Sequence, residues 1–295
     1  MKILLTGATG FLGSSFLRLA AQQGHEIGGL VRNPTPIPNL RAFSGSLASP
    51  PWPELASWRP DTCIHTAWIT TPGIYLESRE NLRYLAESRE FLCRLPTIGV
   101  SRVIGIGTCI EYLASAEPLS ETSTPIAPKT LYAQCKNELR LALEDAAHRT
   151  GFALAWARVF YPYGPGEHPA RLCTSILQKL ARNEPVLLKT PASRKDYIFI
   201  DDLSAALLAV AESGAAGPIN LGTGLGASVR EIAGRLGALA GKSSLIDEAP
   251  GTLVDPLGDI VADASRLKAL GWKPSVSLEE GLARLHRSAC NPQSS

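Results

Sequence analysis

Seven residues near the amino terminus, Gly7-Ala8-Thr9-Gly10-Phe11-Leu12-Gly13, constrain this chain more than any other segment. The apolar run Lys2 to Thr6 before them reads as a strand, and Phe11, Leu12, Ser15, Phe16 and Leu19 repeat at helical spacing after them. Glycines placed where a strand becomes a helix permit a tight turn at Gly7, close approach of an anion to the backbone at Gly10, and close helix packing at Gly13. The turn is thus suited to a dinucleotide diphosphate at the positive end of a helix, with Thr9, Phe11 and Leu12 lining the same cradle.

The rest of the first half repeats the strand-helix alternation. Strands are expected at Ile27 to Val31, Arg41 to Phe43, Thr62 to Ala67, Arg102 to Gly107 and Phe152 to Val159. Long helices are expected at Leu76 to Leu95 and Leu131 to His148. Such alternation builds a parallel sheet covered on both faces, so the expected fold is a Rossmann-type, doubly wound α/β architecture. Regularity breaks at Tyr161-Pro162-Tyr163-Gly164-Pro165-Gly166. Beyond it come a helix at Leu172 to Ala181, a strand at Tyr197 to Ile200, a helix from Asp201, and another opening at Ser228 with Glu231 completing a capping box. Residues 1–165 are expected to form the dinucleotide domain, with 196–221 packing back onto it. Residues 166–195 and 222–295 form a smaller mixed α/β lobe for substrate. The Pro-rich stretch Asn33 to Asn39 and a polar tail, Asn291 to Ser295, are the segments of biased composition.

Composition removes other classes. With 295 residues, 45% hydrophobic and 19% charged, the chain is globular rather than disordered, collagen-like or a disulfide scaffold. Lys and Arg number 29 against 27 Asp and Glu, a net charge of +2 without blocks of one sign, so nucleic acid is not an expected partner. No apolar run reaches the roughly 20 residues of a membrane span, and the amino terminus turns glycine-rich too soon for a signal peptide. A cytoplasmic location is the expectation. Cys63, Cys93, Cys109, Cys135, Cys173 and Cys290 include no pair with the two-residue gap of a zinc or redox site. Reduced thiols and no metal are expected, with pairing of distant cysteines as the open alternative.

Two positions bear on cofactor and chemistry. The second strand ends in Val31-Arg32, where an acid would bind the ribose 2′-hydroxyl of NAD and a cation accommodates the 2′-phosphate of NADP. Arg32 therefore favours NADP(H), with NAD(H) the alternative if Arg32 is merely a solvated charge. Tyr132-Ala133-Gln134-Cys135-Lys136 puts a phenol and an ammonium on one helix face, where the ammonium is expected to draw the phenol's pKa down toward the working range. Thr108, at the carboxyl end of the fifth strand, lies where open α/β sheets bind ligands and offers a hydroxyl to a reacting oxygen. His65, Trp68 and Tyr112 are expected to pack, and His168 to be a solvated loop residue.

The glycine turn, the strand-end threonine and Tyr-x-x-x-Lys, in this order, resemble the extended short-chain dehydrogenase/reductase family of nucleotide-sugar epimerases, dehydratases and ketoreductases. Asp61-Thr62-Cys63-Ile64-His65-Thr66-Ala67 is similar to its fourth strand, and Arg158 to Gly166 to the segment after its sixth. Lys195-Asp196-Tyr197-Ile198-Phe199-Ile200-Asp201-Asp202 and Leu270-Gly271-Trp272-Lys273-Pro274 resemble later signatures, so the likeness covers nearly the whole chain. It implies Tyr132 as general acid/base, Lys136 holding the nicotinamide ribose, and Thr108 beside the substrate oxygen. Ala67 and Val159 would lie against the cofactor. It also implies a possible homodimer through the two long helices, although Leu82, Leu85, Leu92, Leu139 and Leu143 there could equally be core.

Departures from the family pattern narrow the reaction. The 4,6-dehydratases have acids immediately after the threonine, where this chain has Cys109-Ile110, and Glu111 lies one place further on. A position often Asn is Tyr161, the Arg before Asp-Tyr is Lys195, and the later phosphate-binding Arg is missing near Asp255 to Asp259. Tyr161, Lys195 and Arg171 are therefore the expected substrate contacts. The reaction expected first is NADPH-dependent reduction of a 4-keto-6-deoxy nucleotide sugar. The alternatives are a nucleotide-sugar epimerase that keeps NAD bound and, from another class, a non-catalytic dinucleotide-binding protein.

Overall fold

The computed structural model describes residues 1–33 and 36–290; Pro34 and Thr35, within the Pro-rich stretch, and the tail Asn291 to Ser295 lie outside the described residues. The chain runs β1 (Lys2–Thr6), α1 (Phe11–Gln22), β2 (Glu26–Val31), β3 (Leu40–Ser44), α2 (Trp52–Trp58), β4 (Thr62–His65), α3 (Glu80–Arg94), β5 (Arg102–Thr108), α4 (Leu131–Thr150) and β6 (Ala153–Val159). It continues with β7 (Tyr161–Tyr163), α5 (Leu172–Ala181), β8 (Val186–Leu188), β9 (Arg194–Phe199), α6 (Ile200–Glu212), β10 (Gly217–Leu221), β11 (Gly226–Ser228), α7 (Val229–Leu239), β12 (Ile246–Glu248), α8 (Ser265–Ala269) and α9 (Leu278–Cys290).

Seven strands form one sheet in the order β10-β6-β5-β4-β1-β2-β3, and every neighbouring pair is parallel. The order reverses direction between β1 and β4, the switch point at which open α/β sheets leave a crevice beyond their carboxyl strand ends. The fold is thus the Rossmann-like doubly wound architecture. Strands such as β1 and β4 are buried on both faces because helices cover both: α1 packs on α6, and α3 on α4. Two small sheets, β11-β9-β7 and β12-β8, are built from strands that follow β6 in the chain.

Several boundaries differ from the sequence reading for local reasons. The helix expected from Leu76 begins at Glu80, because Ser78 turns the chain and its hydroxyl accepts from Glu80 N–H (3.3 Å). The strand expected at Tyr197 to Ile200 begins at Arg194, where antiparallel pairing with β11 extends it, and Ile200 already belongs to α6. Residues 217–221, whose Gly-Pro start reads as a turn, add strand β10 beside β6. Leu85, Leu92, Leu139 and Leu143 are core residues, while Leu82 is exposed. All six cysteines are free. Among the described residues no helix is long and apolar enough to cross a membrane.

Candidate active site

A single cleft of about 1100 Å³ begins at the glycine turn and runs along the carboxyl ends of the central strands. Gly7, Thr9, Gly10, Phe11, Leu12, Gly13, Arg32, Ala67, Thr108, Tyr132, Lys136, Val159, Tyr161 and Arg171 all border it, so the fold brings together every candidate named above except Lys195.

The glycine turn fits a dinucleotide on its own geometry. Gly7 has φ +72°, and a Cβ there would meet Thr66 Oγ1 at 2.6 Å and Ala67 N at 2.8 Å. A Cβ on Gly13 would run into the carbonyl of Gly7, so α1 could not sit this close to β1 with any larger residue. No side chain caps α1, which leaves first-turn N–H groups for an anion in the cleft. Arg32 is exposed at the carboxyl end of β2, and among the described residues it forms no ion pair.

The chemical end is built from β5, α4 and the chain after β4. Thr130 caps α4, its hydroxyl accepting from Ala133 N–H (3.2 Å), and the helix then presents Tyr132 and Lys136 to the cleft one turn apart. The edge of Tyr132 meets Tyr75 with ring centroids 4.9 Å apart. Lys136 is buried; its ammonium donates to Ile106 O (2.8 Å) and lies 4.0 Å from the Trp68 ring centroid. The distance from that ammonium to the Tyr132 ring centroid is 5.9 Å.

Here the structure corrects the expected electrostatics. Burial pushes the Tyr132 phenol up, with Tyr75 and Glu111 acting in the same direction and Arg171 opposing. Burial also lowers Lys136 to about 7, against the pull of Glu111. Desolvation therefore dominates at both residues, and the phenol is raised rather than drawn down.

Thr108 ends β5. Its N–H donates to Glu111 Oε1 (2.9 Å), its hydroxyl oxygen accepts from Ile110 N–H at 3.5 Å, and the residue borders the cleft. Glu111 is fully buried and ion-paired to the buried Arg158 (Nε–Oε2, 2.8 Å), while Trp156 Nε1 donates to it at 3.1 Å. Both oxygens of the carboxylate are thus engaged within this network. Trp156 can reach it because Gly105 and Gly107 leave room: a Cβ at either would enter the indole ring.

Of the expected substrate contacts, Tyr161 and Arg171 border the cleft. Arg171 Nη2 donates to Thr70 O (3.5 Å), and its guanidinium lies 5.9 Å from the Tyr75 ring. Glu167 fixes this region by accepting from Thr174 N–H (2.8 Å) near the start of α5. Lys195 departs from expectation: buried, it pairs with Asp255 (3.0 Å), donates to Gly258 O and does not border the cleft. Its ammonium lies 5.7 Å from the centroid of the Tyr161 ring, which borders the cleft.

His65 and Tyr112 pack, as read from sequence. His65 is fully buried between Thr6 Oγ1 (2.8 Å) and Ser88 Oγ (2.9 Å), and burial, aided by Lys136, lowers its pKa to about 3. An unfolded histidine titrates near 6.5, so the folded state binds fewer protons between these values and loses stability as pH falls through that window. Replacing His65 with Gln is expected to flatten the pH dependence of the unfolding free energy from urea titrations, between pH 6.5 and the acid limit, by a few kcal/mol; an unaltered slope would contradict it. Sequence reasoning missed the contributions of Trp68, Tyr75 and Asn81 to the site. The one available signal was Trp68's position immediately after Ala67 at a strand end.

Comparison with known proteins agrees with this geometry. A sequence model for the NAD dependent epimerase/dehydratase family matches residues 3–222. UDP-glucuronic acid decarboxylase 3 of Arabidopsis thaliana is 25% identical over 313 residues, covering 96% of this chain and 87% of that protein. The crystal structure of Thermus thermophilus UDP-glucose 4-epimerase in complex with NAD shares the fold with a TM-score of 0.85 at 24% identity, covering 99% of each chain. That of Bacillus cereus UDP-glucuronic acid 4-epimerase, in complex with UDP-glucuronic acid and NAD, has a TM-score of 0.85 at 21% identity, covering 97% of this chain and 98% of that one.

Proposed function

This chain belongs to the NAD dependent epimerase/dehydratase family and is an enzyme of the extended short-chain dehydrogenase/reductase class, and from that premise we propose that it reduces the keto group of a 4-keto-6-deoxy nucleotide sugar with NADPH. The observation that supports reduction is the placement of Tyr132: its phenol borders the cleft together with Lys136 and Thr108, where it can give a proton to a carbonyl oxygen. Its counterpart is the absence of a free acid/base at Glu111, which argues against elimination.

The bound dinucleotide supplies the hydride. Gly7, Thr9, Gly10, Phe11, Leu12 and Gly13 would hold its diphosphate, Arg32 its 2′-phosphate, Lys136 its nicotinamide ribose, and Ala67 and Val159 would flank the ring. Tyr132 protonates the sugar oxygen while the Thr108 hydroxyl donates a hydrogen bond to it. Tyr161 and Arg171 would orient the substrate, with Arg171 as the cation for its phosphates. On this reading residues 1–165 with 196–221 serve the dinucleotide, and 166–195 with 222–295 serve the substrate.

A second reading is a 4-epimerase that retains NAD, favoured by the NAD present in both solved epimerases described above. The two separate on what the purified protein releases when denatured. Mass spectrometry is expected to find an empty site or freely exchanging NADP(H); near-stoichiometric NAD would instead count against the reductase reading and favour the epimerase. Arg32→Ala is expected to weaken NADPH binding about tenfold or more through loss of a charge-assisted contact, with NADH binding unchanged in the same titration. Equal effects on both dinucleotides would mean that Arg32 does not recognise the 2′-phosphate.

A further inference from the structure

Lys136 carries a buried ammonium, yet among the described residues no carboxylate forms an ion pair with it. One of its protons goes to Ile106 O at 2.8 Å. The next group is the face of Trp68, 4.0 Å from Nζ to the ring centroid, a distance suited to attraction between a cation and an indole. Trp68 is aimed by hydrogen bonds as well as by packing. Its Nε1–H donates to Asn81 Oδ1 (2.8 Å), and the fully buried Asn81 amide gives both its protons away, to Tyr75 O (2.7 Å) and Ser78 O (2.8 Å). Asn81 thereby ties the ring that faces Lys136 to the backbone of the residue whose ring meets Tyr132.

We propose that Trp68, oriented by Asn81, is a positioning residue that holds the Lys136 ammonium in place and keeps it protonated in the absence of an acidic partner. The proposal rests on reading Lys136 as part of the site. Other groups around the ammonium do not replace Trp68. From β4, His65 is held neutral. After β5, Glu111 is bonded to Arg158, Trp156 and Thr108. Tyr132 on α4 is held as a phenol, and on α3 the cleft-lining Arg83 and Glu87 pair with each other (3.1 Å). Burial draws Lys136 down to about 7 even with Glu111 pulling the other way, so a modest loss of stabilisation would leave it largely neutral at working pH.

The test is a pH titration of the Lys136 ε-carbon by NMR in cofactor-free protein labelled with [ε-13C]lysine, the signal assigned by its loss in Lys136→Arg. The wild-type protein is expected to titrate near 7. Trp68→Leu should lower that midpoint by about one pH unit, and Trp68→Phe, which keeps an aromatic face, by about half as much. Asn81→Ser should shift it in the same direction by freeing the indole. If Trp68→Leu does not fold, Trp68→Phe and Asn81→Ser decide. Midpoints at the wild-type value in the folded variants, or a wild-type lysine titrating near 10.5, would overturn the proposal. No substrate is used, so a failed reductase assay would count against the proposed function and leave this result standing.

Discussion

Tyr132→Phe lowers kcat for the proposed reduction by roughly 100- to 10,000-fold, the range expected when a positioned general acid is removed. The ring remains packed edge-on against Tyr75 and α4 keeps its cap, so the thermal midpoint should stay close to wild type. Dinucleotide affinity should also hold, because the loss is confined to the proton delivered to the substrate oxygen. The relevant comparison is steady-state kcat beside a dinucleotide titration on the same sample. A folded Tyr132→Phe protein with full reductase activity would remove Tyr132 from the chemistry.

The largest expected effect on stability is at Arg158. Arg158→Met leaves the Glu111 carboxylate buried, deprived of its ion-pair partner, and costs about 3–5 kcal/mol, measurable by urea unfolding. It also removes a donor to Tyr112, whose hydroxyl donates in turn to Asn220 Oδ1 (2.8 Å). Adding Glu111→Gln should recover part of the loss by removing the uncompensated charge. A cost below about 1 kcal/mol for Arg158→Met would mean that solvent reaches this network. Glu111 also accepts from Thr108 N–H, so any folded Arg158→Met protein should show altered placement of the strand-end hydroxyl.

Local pattern made much of the fold legible. Strand alternation marked the sheet through β6, and the capping box at Ser228 marked α7, because both are encoded by residues close in sequence. The same applies to Tyr132 and Lys136, which share a face by helical spacing. What stayed hidden depends on distant partners. Glu111 could be read as a displaced acid from sequence; only folding brings Arg158 onto it across 47 residues. Lys195 looked like a free cation until folding placed Asp255 beside it. The direction of the Tyr132 shift was lost similarly: spacing reveals the nearby lysine, while desolvation depends on the walls that enclose the phenol.

In the proposed reaction, hydride would pass from NADPH to C4 of a nucleotide-linked keto sugar while Tyr132 gives its proton to the C4 oxygen. The most direct test is incubation of the protein with [4-2H]NADPH and a nucleotide-linked 4-keto-6-deoxy sugar, with parallel reactions for the two C4 labels. The account predicts that one labelled isomer delivers deuterium to C4 of the product, with one NADP+ formed per sugar reduced and the transfer lost in Tyr132→Phe. A 4-hydroxyl sugar inverted at C4 with no net oxidation of NADPH, together with no turnover of the keto sugar, would contradict it.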